Sequence, residues 1–187
     1  MNIRTEVIKI AEEESYVFKI LLLGDGAVGK TSLLRRFIDN TFIPDYKGTI
    51  GVQFMTKNVE LENKNVKLVV WDVAGQSRFT SYRHLYYKDA DGIILVYDIT
   101  RYPTFENLEK WVTDAVKYTE QDIQIAVLAN KVDLFDNRNV SEEEGRLYSA
   151  LREAVLFSET SAKTGKNVDN AFLELAKNLI KTSRQNK

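Results

Sequence analysis

The chain has 187 residues, 44% hydrophobic and 28% charged, which fits one ordinary globular domain and excludes a disordered or fibrous chain. Lysine and arginine number 26 against 27 acids, a net charge of -1, so no broad nucleic-acid surface is expected. With 0 cysteines and 1 histidine, disulfides, thiolate or multi-histidine metal sites and cysteine-linked lipids are excluded.

The opening MNIRTEVIKIAEEES has no apolar core and ends in acids, so it does not read as a signal peptide, and a cytoplasmic protein is expected. It reads as an N-terminal extension, residues 1–15, before one domain at 16–182 and a short tail at 183–187. Short apolar runs then alternate with amphipathic stretches, the pattern of an α/β protein with a mostly parallel sheet. Residues 16–23 read as a first, buried strand and 30–38 as a helix. Strands at 52–61 and 66–71 flank Glu62-Asn63-Lys64-Asn65, read as a hairpin turn. Further strands are expected at 93–97, 123–128 and 155–158, all far short of the roughly 20 apolar residues of a membrane span. Phe105, Leu108, Trp111, Val112, Ala115 and Val116 keep helical spacing, as do Val168, Ala171, Phe172, Leu175, Leu179 and Ile180. Ser141 followed by Glu144 is a capping box opening another helix.

Four motifs sit at the carboxyl ends of these strands, the edge where open α/β sheets bind ligands. Gly24-Asp25-Gly26-Ala27-Val28-Gly29-Lys30-Thr31, followed by Ser32, has the form G-x-x-x-x-G-K-[ST] between a strand and a helix. Its glycines let successive N–H groups turn inward on a phosphate chain, at a helix N-terminus that favours anions. Lys30 adds a full charge at the β and γ phosphates, and Thr31 offers a hydroxyl to Mg2+. Asp72-Val73-Ala74-Gly75-Gln76 follows a later strand. There Asp72 can hold Mg2+ through water and Gly75 can offer its N–H to a γ phosphate. Asn130-Lys131-Val132-Asp133 supplies a carboxylate, Asp133, able to accept two hydrogen bonds from guanine that adenine cannot offer. Ser161-Ala162-Lys163 presents backbone N–H groups suited to guanine O6.

On these motifs the chain resembles the Ras-like small GTPases, and the Rab family most closely, over about residues 16–182. The likeness extends to Thr49-Ile50-Gly51-Val52-Gln53-Phe54, to Tyr86-Tyr87 and to Asp98-Ile99-Thr100 before a helix. It implies a P-loop GTPase fold: six strands, mostly parallel with one antiparallel, and about five helices. By position it implies that Thr49 binds Mg2+ when the γ phosphate is present, Tyr46 closes over the nucleotide and Phe42 lies beside the guanine. Gln76 orients the attacking water, with Lys30 and Thr49 beside it in catalysis. Phe54, Trp71 and Tyr86 match the aromatic triad with which Rab proteins meet effectors. The expected function is a slow GTPase switch with Mg2+ as cofactor, acting with protein effectors, an exchange factor and a GTPase-activating protein. A monomer is expected, with no nucleic-acid partner and no covalent lipid anchor, and at most reversible contact with a membrane. Rab proteins usually carry Thr where Val73 stands, a Glu where Ser77 stands and C-terminal cysteines, which this chain lacks.

Two rival readings are weighed against this one. A GTP-locked interaction scaffold is opposed by intact Gln76, and a P-loop kinase or ATPase by Asn130-Lys131-Val132-Asp133. His84 reads as a solvated helix residue. Lys177, Lys181, Arg184 and Lys187 read as a helix end favoured by the macrodipole.

Overall fold

The computed structural model describes residues 15–44, 48–75, 83–119 and 123–185, with the backbone alone at 83, 84, 184 and 185. The roles expected of Tyr46, Gln76 and Ser77, the reading of His84 and the stretch before residue 15 fall outside the described residues.

In chain order the elements are β1 (Ser15–Leu23), α1 (Lys30–Asp39), β2 (Val52–Leu61), β3 (Lys64–Val73), α2 (Arg83–Tyr87), β4 (Gly92–Asp98) and α3 (Tyr102–Glu106). They continue with α4 (Leu108–Ala115), β5 (Gln124–Asn130), a 3-10 turn (Val132–Asn137), α5 (Glu142–Leu151), β6 (Leu156–Thr160) and α6 (Val168–Gln185). The six strands form one sheet in the order β2-β3-β1-β4-β5-β6, parallel except for the antiparallel β2–β3 pair.

The apolar runs are continuous because the central strands are covered on both faces. Ile20 and Leu22 of β1, Ile94 and Val96 of β4, and Leu128 of β5 join a core roofed by α1 and α6. There Phe37 of α1 stacks on Phe172 of α6, ring centroids 4.3 Å apart. Leu21, Leu23, Ile93, Leu95 and Val127 face the other way, into a core with Leu108, Trp111 and Val112 of α4. Val73 is buried in that second core. Ser141 opens α5 as a capping box, its hydroxyl accepting from the Glu144 N–H while Glu144 accepts from the Ser141 N–H at 2.8 Å.

Two expectations are corrected in detail. The hairpin turn is Glu62-Asn63 alone, both with positive φ (52° and 59°), and β3 starts at Lys64. Those dihedrals are the type I′ pair whose twist matches the flanking strands. The described helices number six, because the stretch expected as one helix divides into α3 and α4 at Asn107. Asn107 keeps right-handed dihedrals (φ -73°, ψ -9°), so the division is a loosened turn in a nearly continuous rod.

The strand order also fixes where a ligand can sit. From β1 the chain runs first to β3 on one side and then to β4 on the other. The loop after β1 therefore opens at the topological switch point, flanked by the ends of β3, β4 and β5.

Candidate functional site

A cavity of about 540 Å³ lies at this edge, within the range of small-molecule sites. Gly26, Ala27, Gly29, Lys30, Thr31 and Ser32 form its floor. Phe42, Thr49 and Gly75 also line it, as do Asn130, Lys131, Asp133, Ala162 and Lys163. Gly24, Asp25, Val28, Asp72 and Ser161 are not among the lining residues; they stand behind the wall and hold it.

The floor is a loop bent around a lysine. The Lys30 ammonium donates to the carbonyls of Gly24 (2.7 Å) and Asp25 (2.9 Å), which arches the loop over its own charge. Gly29 has φ 100°, and a Cβ there would lie 2.3 Å from the Asn130 amide nitrogen, so conformation and close approach both demand glycine. Gly75 meets the loop from the β3 side just as closely. A Cβ on it would lie 2.3 Å from the Asp25 carbonyl carbon and 2.3 Å from the Gly26 nitrogen.

Beside the lysine three oxygen-bearing side chains converge. The Thr31 hydroxyl donates to Asp72 Oδ2, and Thr49 Oγ1 lies 2.6 Å from Thr31 Oγ1 and 3.2 Å from the same carboxylate oxygen. Asp72 is 0% exposed, and its Oδ1 has no hydrogen-bond partner among the described residues. Burial pushes its carboxyl above the usual range, opposed by the Thr31 bond and the Lys30 charge. A buried carboxylate with one orphaned oxygen, next to two hydroxyls, is a hard-oxygen donor set of the kind Mg2+ takes. The residues present therefore fit Mg2+, with Thr31, Thr49 and Asp72 to hold it. Asp72 lies within β3, one residue before its end, and not after it.

On the far wall Asn130, 1% exposed, is a junction. Its amide donates to the Val28 carbonyl (2.8 Å), and its Oδ1 accepts from the Thr160 hydroxyl and the Ala162 N–H, both at 3.3 Å. It thus ties the phosphate-type loop to the loop after β6. The Ser161 hydroxyl donates to Asp133 Oδ1 at 2.6 Å, and the Ser161 N–H is taken by the Lys166 carbonyl. Ser161 is therefore a support that aims Asp133, while Ala162 and Lys163 face the cavity. Lys131 adopts a left-handed φ of 70° and pairs with Asp98 Oδ2 at 2.7 Å. Asp98 is almost wholly buried; burial raises its carboxyl, but bonds from Lys131 and Thr100 outweigh that and hold it below the usual range.

Sequence reading missed part of this frame. Ile43, Gly48 and Leu134 also line the cavity, each adjoining a predicted residue. Arg36 of α1 donates to the carbonyls of Ala162 and Lys163, both at 2.9 Å. Arg101 holds Asp98 (3.0 Å) and the Gly26 carbonyl (3.0 Å) at once. The sequence shows only a helical arginine and the acid of the Asp98-Ile99-Thr100 segment, with no partner to suggest a role for either.

A charged loop at a helix N-terminus and a carboxylate aimed into the same cavity are the parts that the four motifs require. The family model described as Ras family matches residues 19–181. The chain belongs to the Ras family. That membership carries the general activity of a GTP-binding GTPase switch. Among its relatives, Ras-related protein Rab-8B of Homo sapiens is 42% identical over 171 residues, covering 91% of this chain and 82% of that protein. Ras-related protein RABA1i of Arabidopsis thaliana is 44% identical over 164 residues, 88% of this chain and 75% of that protein. Ras-related protein Rab11B of Nicotiana tabacum is 44% identical over 170 residues, 91% and 78%. No helix among the described residues is long and apolar enough to cross a membrane.

Proposed function

We propose that this Ras-family protein is a Rab-type switch in membrane trafficking, binding GTP and GDP in the cavity and hydrolysing GTP to GDP and phosphate. The observation that carries the reading is that the Lys30 loop and Asp133 line one cavity. Lys30 and the loop N–H groups would take the β and γ phosphates, and Asp133, steadied by Ser161, the guanine edge. Mg2+, held by Thr31 and Thr49 with Asp72 behind them through water, would neutralise charge on the β and γ oxygens. Gln76 is assigned the attacking water on the resemblance alone. Gly75, packed on Asp25 and Gly26, supports a coupling of that segment to the phosphate loop.

The lining contains no arginine among the described residues. Arg101 meets the loop at a carbonyl and is held there by Asp98. We infer that unaided turnover is slow and that an arginine supplied in trans accelerates it, an effect worth about 10³–10⁵ in rate among GTPases that use one. For effectors the favoured surface is Phe54, Trp71 and Tyr86. Phe54 lies 5.5 Å from Trp71 and Trp71 6.1 Å from Tyr86 between ring centroids, and Phe54 is 63% exposed, with Ile50 at 85%. Action as a monomer, with reversible membrane contact made through partners, completes the proposal.

Competition between GTP and ATP for a fluorescent GDP analogue tests it. GTP is expected to win by several orders of magnitude, because Asp133 left unpaired against adenine loses two charged hydrogen bonds of about 1.5–3 kcal/mol each. Asp133→Asn should shift preference to xanthine nucleotides. Equal competition by ATP would remove the proposal.

A further inference from the structure

The loop residue Asp25 presents an acid inside a segment whose task is to hold phosphate. Its carboxylate is turned away from the cavity and engaged at both oxygens. Oδ2 accepts from the Asn107 amide at 2.7 Å, and Oδ1 accepts from the Trp111 indole N–H at 2.8 Å. Asn107 and Trp111 are four residues apart on the α3–α4 rod and so share one face. The Lys110 ammonium steadies Asn107 by donating to its Oδ1 at 2.7 Å, leaving the Asn107 amide hydrogens for Asp25. Trp111 itself is 6% exposed, its ring locked in the core shared by α4, β4 and β5. The same rod reaches the next loop residue through Arg101 and the Gly26 carbonyl.

Asp25 has a second task. Its backbone carbonyl accepts from Lys30 at 2.9 Å, so the position of Asp25 helps set where the ammonium points. From the other side Gly75 presses on its backbone with no room for a Cβ. Asp25 is therefore clamped between a part of the site expected to change with the γ phosphate and a helix packed into the core.

We propose that Asn107 and Trp111 are positioning residues for the nucleotide: they brace Asp25, keep its negative charge out of the phosphate cradle and fix the carbonyl that aims Lys30. The inference rests on the guanine-nucleotide reading of the cavity. It makes the α3–α4 face a handle on nucleotide release, because whatever displaces the rod frees the Asp25 carboxylate to repel the phosphates.

A double-mutant cycle separates this from a role in packing. Dissociation of a fluorescent GDP analogue is measured for the unmodified protein, Trp111→Phe, Asp25→Ser and the double variant, with thermal melting of each. Phenylalanine keeps an aromatic ring in the core and lacks the N–H donor. Trp111→Phe should speed dissociation roughly tenfold or more in the natural background, as expected for a lost charge-assisted bond, and less than about twofold in the Asp25→Ser background. Asn107→Ala should behave in the same way. Equal acceleration in both backgrounds, or none in the first, would overturn the brace. A second readout does not need nucleotide. The chain has 2 tryptophans, so the indole N–H resonance lost in Trp111→Phe is identified at once, and Asp25→Ser should move it upfield. An unmoved resonance would also overturn the proposal. Failure of the unmodified protein to bind the GDP analogue would instead count against the nucleotide reading itself, and the indole shift would still report on the Asp25–Trp111 bond.

Discussion

Asn130→Ala is the change that the geometry makes most costly for its size. It removes three hydrogen bonds at a site 1% exposed: one of ordinary length to the Val28 carbonyl and two longer ones from Thr160 and Ala162. All three bonds are buried in the intact protein. An unsatisfied buried partner costs about 1–3 kcal/mol, with the two 3.3 Å bonds at the low end, which gives roughly 3–5 kcal/mol in all. For a chain of this size that lowers the melting temperature by roughly 10 °C. Thermal melting by circular dichroism, with and without excess GDP, measures it. Asn139→Ala is the comparison, since its amide bonds to the Thr100 carbonyl in an exposed setting and should cost under about 1 kcal/mol. If the two variants melt at the same temperature, the role of Asn130 as the tie between the two loops is refuted.

Gly75→Ala should leave the fold intact but weaken binding of a GTP analogue more than of GDP, because its Cβ would strike the backbone at Asp25 and Gly26; equal loss for the two nucleotides by calorimetry would contradict this. Gln76→Leu should slow single-turnover GTP hydrolysis and spare binding, and an unchanged rate would discard Gln76 as the residue that orients water. Ser141→Ala should destabilise the protein by about 1 kcal/mol in urea unfolding with no effect on nucleotide affinity, since the capping box stands apart from the cavity lining.

Much of this molecule is legible in its amino-acid order. Strands covered on both faces need continuous apolar runs, and residues 93–97 and 125–129 are such runs. The Lys30 loop is legible because a tight phosphate cradle needs glycine at fixed spacing. What could not be read depends on other kinds of information. Glu62 and Asn63 take left-handed dihedrals without a glycine to announce them. Lys64 begins β3 as a nearly buried residue, its ammonium 5.2 Å above the Tyr16 ring, which its charge alone would not suggest. The brace on Asp25 spans 82 and 86 residues of chain, and the Arg36 clamp 126 and 127. Such contacts exist only once the strand order has placed β1 between β3 and β4. Spacing reveals which residues share a helix face, and topology alone reveals what that face meets.

The central claim is a switch that turns over GTP in this cavity. Purified protein loaded with GTP and Mg2+ and followed in a single turnover by phosphate release tests it most directly. Slow release of one phosphate per bound GTP, leaving GDP in the site, is the predicted result. GTP that stays bound and intact would contradict it and make the protein a GTP-locked scaffold.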